Sequence, residues 1–237
     1  MIELKLISEF PQEIIAIDEV GRSPLCGPVV IGALRILVQD YNQLIALLRS
    51  LRRNGVKDSK KLCHQKRTNL LEKFHINELS FREKGEFEWK GLQINFVTWN
   101  MDHDVIDREN IFAASMRGMK EAALFLKEGI YPSTILIDGQ SKLRWEGGES
   151  PDWKELPIVK GDVKSSLIGL AAIIAKEKRD AFMKQMHELY PYYGLDTNFG
   201  YPTLVHRKAI EVHGPSPIHR QTFSKVKEFI TKTEIVR

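Results

Sequence analysis

Two rhythms alternate along the chain. Ile14, Ile15, Ala16 and Ile17 form a short apolar run that ends at Asp18–Glu19, and the turn GRSPLCGP separates it from a second run, VVIGALRILV. Two β-branched runs joined by such a turn predict adjacent strands in a hairpin-like pair. Residues 40–53 instead place Leu44, Leu47, Leu48 and Leu51 on one helical face. A turn, KDSKKL, opens 57–74 and a basic helix follows; strand patterns recur around 80–98. A long helix is predicted over 109–128, with Ile111, Met119, Ala122, Ala123 and Leu126 as its packed face. STILIDGQ reads as a strand ending in an acidic turn, 141–153 as a polar surface loop, and LPIVKGD as another strand ending at an aspartate. Over 163–189 one helix is expected, and its first half, LIGLAAIIA, is apolar on every side, as for a helix buried against a sheet. The tail carries PTLVHRKAIEVHGPSP and then a helix with Phe223, Val226 and Ile230 on one stripe. Strands alternating with helices predict a three-layer α/β domain over 1–202, with a small helical C-terminal subdomain over 203–237.

Composition narrows the class. Hydrophobic residues make up 43% and charged residues 28% of 237, the mix of a folded soluble chain. No apolar run approaches the ~20 residues that span a bilayer, and MIELKLISEF lacks a signal-peptide pattern. Cys26 and Cys63 stand in unrelated contexts, which argues against a disulfide scaffold and a zinc site and for a reducing, cytoplasmic setting. The net charge of +4 is unevenly placed. Residues 203–237 hold seven Lys/Arg and three Asp/Glu, while the remainder holds 28 of each sign. A neutral body with a basic end suits a protein that grips a polyanion; a solvated basic helix without a partner has the same charge.

Three apolar runs are expected to deliver acids to strand ends: Asp18 and Glu19 after IAI, Asp138 after ILI, and Asp162 after IVKG. One such aspartate is an ordinary turn cap. Several gathered at one sheet edge repel unless a cation sits among them. Carboxylates without neighbouring His or Cys suit Mg²⁺ or Mn²⁺ rather than zinc. Two such ions ~3.5–4 Å apart can promote in-line phosphodiester displacement, so the pattern points to metal-assisted phosphoryl transfer.

At these residues the chain resembles type 2 ribonuclease H. The blocks are IAIDEVGRSPLCGPVVIGAL, KDSKKL, ENIFAASMRGMKEA, ILIDGQ, IVKGDVKSSLIGLAAIIAKEKRDAFM and YPYYGLDTNFGYPTLVHRKAIEVHGPSPIHRQTFSKVK, in order from about residue 14 to 227. The resemblance implies a ribonuclease H-like fold with a mixed central sheet and four carboxylates, Asp18, Glu19, Asp138 and Asp162, around Mn²⁺ or Mg²⁺. It implies that Gly21, Arg22 and Ser23 lie against the ribose and read its 2′-OH. It also implies that Tyr201 packs on the neighbouring sugar and that Ser59 and Lys60 contact backbone phosphate. The expected activity is endonucleolytic hydrolysis of RNA in RNA–DNA hybrids and of ribonucleotides embedded in duplex DNA, leaving 5′-phosphate and 3′-OH ends. A monomer is expected, with the basic tail holding phosphates. Two positions depart from the family pattern. Ser23 stands where glycine is usual, with an expected strain cost if it is left-handed, and Phe199 stands where lysine is usual. Asp180 is read as a salt-bridge or capping residue, His206, His213 and His219 as packing or phosphate-facing groups, and the tryptophans as packing. The alternatives are a hybrid-binding protein with weakened catalysis, or a four-carboxylate exonuclease on the same fold.

Overall fold

Alternation along the first long strand decides the architecture. In the structure, a computed structural model that describes residues 2–7, 9–56, 62–76, 80–143 and 152–230, strand β1 (Gln12–Val20) turns Ile14 and Ala16 into one apolar cluster and Ile15 and Ile17 into another. All four are fully buried. A strand that is apolar on both faces needs a layer on each. β1 pairs antiparallel with β2 (Val29–Val38), as the two runs around the turn predict, and parallel with β5 (Ser133–Asp138). Strands β3 (Gly85–Trp89), β4 (Leu92–Met101) and β6 (Trp153–Ile158) complete a mixed sheet of order β3-β4-β2-β1-β5-β6.

On one face lie α1 (Glu3–Leu6), α2 (Tyr41–Arg53), α3 (His64–Lys73) and the long α7 (Ser166–Leu189). On the other lie α4 (His103–Glu109) and α5 (Ile111–Leu126). This is the expected three-layer α/β arrangement. The α2 stripe is the one expected: Leu44, Leu47, Leu48 and Leu51 are its buried residues, and Asp40 caps it by accepting from the Gln43 amide. The chain then continues through α6 (Gly161–Lys164), which precedes α7, to α8 (Leu195–Asn198), α9 (Leu204–His213) and α10 (Ser224–Lys227). A third cluster joins Ala209, Ile210 and Val226 to Met183 of α7 and to Leu25 and Cys26 of the β1–β2 turn. Among the described residues no helix is long and apolar enough to cross a membrane.

Several elements differ from their sequence patterns. Asp162 does not end a strand: β6 stops at Ile158, Lys160 turns left-handed, and Asp162 sits in the first turn of α6. The predicted helix over 163–189 is broken at Ser165, which adopts an extended backbone and caps α7 by accepting from the Ile168 amide. A serine hydroxyl competes with helical hydrogen bonding in this way. The predicted 109–128 helix begins instead at Ile111, because Asn110, at φ 70°, separates it from α4 and caps it. Strand propensity around 80–98 resolves into a hairpin whose two-residue turn, Lys90–Gly91, has positive φ at both positions, as tight hairpins require. The tail helix is only one turn long, with Val226 buried.

Gly32 in β2 marks how closely α7 lies on the sheet: a Cβ there would sit 2.1 Å from the Ala171 carbonyl oxygen and 3.0 Å from the Ala175 Cβ. Backbone cannot yield as a side-chain tip can. Gly32→Ala should therefore destabilise the fold by about 3 kcal/mol in urea titration. Gly91→Ala, in open space but at φ +78°, should cost only about 1 kcal/mol.

Candidate active site

The sheet brings the four predicted acids together. Asp18 and Glu19 are consecutive near the end of β1, so pleating directs them toward opposite faces of the sheet. Asp138 ends the parallel neighbour β5, and its Oδ1 accepts from the Gly161 amide at 2.6 Å. That contact ties β5 to the turn that carries Asp162. A Cβ at Gly161 would stand 3.0 Å from the same oxygen, so glycine permits the approach. Asp18 is 4% exposed and Asp162 fully buried. Burial, then the charges of Asp138 and Glu19, push the Asp18 carboxyl well above the usual aspartate range; Asp162 adds to the same effect. Burial likewise pushes Glu19 up to about 7, with Arg22 opposing and Asp138 reinforcing the rise. Arg22 is its ion-pair partner, Nη1 to Oε1 at 3.2 Å.

Asp18, Glu19 and Asp138 open onto a cleft of about 410 Å³ that also exposes Gly21, Arg22, Ser23 and Tyr201. Two buried arginines build the turn. Arg220 donates to the carbonyls of Gly21 (2.6 Å), Arg22 (3.0 Å), Pro24 (2.8 Å) and Gly27 (3.0 Å). Arg179 donates to the carbonyls of Cys26, Pro28 and Phe199. Burial and the neighbouring Arg179 push Arg220 down to about 9, which leaves it charged at neutral pH. Neither arginine stood out in the sequence, and Arg220, counted with the basic tail, is spent in the interior rather than offered to a ligand. Gly21, at φ +98°, is the left-handed residue, and a Cβ there would overlap Arg179. Ser23 is exposed and is not among the residues of positive φ. The strain expected at Ser23 is thus absent: Gly21 takes the demanding conformation, and Ser23 fits its turn as an ordinary L residue.

Tyr201 is 38% exposed and lines the same cleft. Its carbonyl lies 3.0 Å from His206 Nδ1, His206 Nε2 lies 3.0 Å from His219 Nε2, and His219 Nδ1 accepts from the Ser216 amide at 2.9 Å. An amide must donate and a carbonyl must accept. Both tautomers follow: His219 donates from Nε2, and His206 donates from Nδ1 to Tyr201. Burial lowers both rings, His219 to about 3, so the pair is neutral. With Cys26 these rings form a buried trio whose ligand atoms lie within 4.8 Å of one another, a convergence their sequence spacing hid. The hydrogen-bond chain already occupies the imidazole nitrogens that a metal would use. His213 is separate, stacked on Tyr192.

Phe199 adopts φ 50°, and the Lys176 ammonium lies 4.7 Å from its ring centroid. Lys176 and Arg67 line the cleft beside the acids, and both pair with Asp180, which is 3% exposed. Asp180 is thus a buried ion-pair residue. The Lys176–Asp180 spacing of one helical turn is visible in sequence; Arg67, from another helix, is not. Ser59 and Lys60 lie outside the described residues, as do Trp145 and most of the loop expected over 141–153.

The donor set fits a hard divalent cation. It consists of carboxylate oxygens, two of them held protonation-prone by burial and mutual charge, with one guanidinium paired to one of the four.

The sequence model of the Ribonuclease HII family matches residues 15–226. The chain is 37% identical over 218 residues to Ribonuclease HII of Zymomonas mobilis, covering 91% of this chain and 86% of that one. Among solved structures it is similar to ribonuclease H2 from Pyrococcus horikoshii, with TM-score 0.63 and 22% identity over 92% of this chain and 96% of that one. It is also similar to Bst-RNase HIII in complex with Mn²⁺, with TM-score 0.61 and 19% identity over 92% and 69%. These likenesses support the ribonuclease H-like fold expected from the sequence.

The raised Glu19 carboxyl has a measurable consequence. A folded-state value near 7 against the ordinary 4.5 gives stability that is whole below pH 4.5 and is lost as pH rises through 7. In chelator-treated protein the loss between about pH 4.5 and about pH 8 should reach at most roughly 3 kcal/mol. Thermal melts of wild type against Glu19→Gln isolate it: the variant should lack this part of the pH slope. Saturating Mn²⁺ or Mg²⁺ should restore wild-type stability at the higher pH. Equal slopes for the two proteins would place Glu19 outside the coupled cluster.

Proposed function

The chain belongs to the ribonuclease HII family, metal-dependent endoribonucleases acting on RNA–DNA hybrids, and we propose that Asp18, Glu19, Asp138 and Asp162 are the carboxylates with which it cuts. The supporting observation is that Asp18, Glu19, Asp138, the Gly21–Ser23 turn and an exposed tyrosine share one cleft, with the charge of buried Asp162 felt at Asp18. Asp18, Glu19 and Asp138 would be the primary oxygen donors to Mn²⁺ or Mg²⁺, with Asp162 completing the set from below. Mn²⁺ in Bst-RNase HIII agrees with that choice of ion. When bound, one or two such ions would supply positive charge for activating water and for neutralising the departing 3′ oxygen.

The chain's own groups do the recognition. Arg220 draws the carbonyls of Gly21, Arg22 and Pro24 inward. Among the described residues the amides of Arg22 and Ser23 have no protein acceptor, and in this reading they meet the ribose 2′-OH, the group that separates RNA from DNA. Tyr201 would pack on the adjacent sugar, held in place through its carbonyl by His206. Arg67 and Lys176 would lie near phosphate, Lys176 standing beside the phenylalanine that replaces the family's usual lysine. Single ribonucleotides in duplex DNA would then be substrates as well as hybrids, because recognition needs one 2′-OH. We further assign duplex phosphates to the basic residues of 203–237, of which Arg207, Lys208, Lys225 and Lys227 are exposed, a monomeric state and a reducing, cytoplasmic setting. The free thiols Cys26 and Cys63 agree with that setting.

Cleavage of a duplex carrying one internal ribonucleotide, with Mn²⁺ or Mg²⁺, should give 5′-phosphate and 3′-OH ends. Asp138→Asn should lower the rate about a thousandfold while duplex binding persists. Near-normal cleavage by that variant, or 2′,3′-cyclic phosphate ends, would overturn this reading of the acids. Because Ser23 is unstrained, Ser23→Gly should not raise the melting temperature; added unfolded-state entropy should lower stability by about 0.5 kcal/mol. Cleavage should stay near wild type in Ser23→Gly and Ser23→Ala alike if the backbone does the reading.

A further inference from the structure

Glu3 lies outside the stretch matched by the family model, yet it is fully buried. A buried carboxylate needs partners, and it finds them at the start of α7. Its Oε1 accepts from the Ser166 amide at 2.6 Å, the Ser165 hydroxyl at 2.9 Å and the Leu167 amide at 3.4 Å. Ser165 Oγ in turn accepts from the Ile168 amide at 3.2 Å. The first three amides of α7 are therefore satisfied by one carboxylate from 162 residues upstream and one local hydroxyl. Negative charge at that helix end is further favoured by the peptide dipoles.

The junction fixed in this way is the one that places Asp162. The Ser165 amide donates to the Gly161 carbonyl at 2.7 Å, closing α6 around Asp162. The Asp162 carbonyl lies against Gly169 of α7, where a Cβ would come within 2.9 Å of it. Asp162, in the first turn of α6, is thus held against α7, and the break between these helices is held by Glu3. We propose that Glu3 is a positioning residue for Asp162, clasping the α6–α7 junction so that this carboxylate faces the other three. The proposal rests on the reading of Asp162 as an ion-holding carboxylate. Glu3 itself touches neither substrate nor ion.

Calorimetric titration of the full chain with Mn²⁺, without nucleic acid, tests it, together with cleavage kinetics and thermal melts. Partners that orient metal-holding side chains typically change affinity about 10–100-fold. Glu3→Ala should weaken Mn²⁺ binding about tenfold or more and lower kcat comparably, with KM for the duplex unchanged. Glu3→Gln keeps the accepting oxygen and should recover most of the loss. If Glu3→Ala does not fold, Ser165→Ala carries the test, with a smaller loss of Mn²⁺ affinity of about threefold. Unchanged Mn²⁺ affinity in folded Glu3→Ala, or in Ser165→Ala where Glu3→Ala does not fold, would overturn the clasp. Asp162→Asn separates the premise from the proposal. If it leaves Mn²⁺ affinity intact, Asp162 is not at the ion and both fall; if it weakens binding while the Glu3 and Ser165 variants do not, only the clasp falls.

Discussion

Repulsion among carboxylates gathered from two strand ends and one short helix is the constraint around which the cleft is built. Asp18, Glu19 and Asp138 arrive on adjacent parallel strands and Asp162 on a short helix, and the other three all raise the cost of charging Asp18. A fold held by marginal net stability keeps such an arrangement only where surrounding structure over-determines it. Here the backing is covalently simple and sterically strict: strands buried on both faces, glycines at 32 and 161 that admit close approach, and an amide donated to Asp138.

The opposite problem, buried positive charge, is solved a few ångströms away without carboxylates. Arg179 and Arg220 are both fully buried and donate to backbone carbonyls. A guanidinium offers five donors in a fixed plane, so it can hold several carbonyls at once where an ammonium could not. By holding those of 21–28 and 199, the two residues set the turn and the tyrosine loop relative to each other. They also orient peptide groups: with the carbonyls of Gly21 and Arg22 turned toward Arg220, the amides of Arg22 and Ser23 point the opposite way. The His206–His219 pair extends the same logic to Tyr201, using neutral rings whose tautomers are dictated by the groups at either end.

The C-terminal segment is consequently part of how the cleft is built as well as a source of positive charge. Gly27 donates to Ile218, Arg220 donates to Leu25 through its amide, and Asp107 of α4 accepts from Gln221 and Thr222. Buried and exposed cations therefore share one stretch of chain: Arg220 builds the turn, while Arg207, Lys208, Lys225 and Lys227 stay exposed.

The amino-acid sequence by itself determined the pair β1 and β2, the leucine stripe of α2, the burial of α7 and the placing of Asp18, Glu19 and Asp138 near strand ends. Each of these is written in a local pattern: β-branched runs, a period of 3.6, or a charge at the end of an apolar run. Local pattern misplaced Asp162, because a left-handed Lys160 and a glycine look the same in sequence whether a strand ends before or after them. It could not reveal Ser23 as unstrained, since φ at the turn is settled by which glycine Arg179 crowds. Only the tertiary structure decided the roles of Arg220, His219, Arg67 and Glu3. Their partners lie 193 positions away for Arg220 and Gly27, 110 for Arg67 and Glu177, and 162 for Glu3 and Ser165. A hydrogen bond across that separation leaves no periodicity behind, because its geometry exists only once the layers have packed.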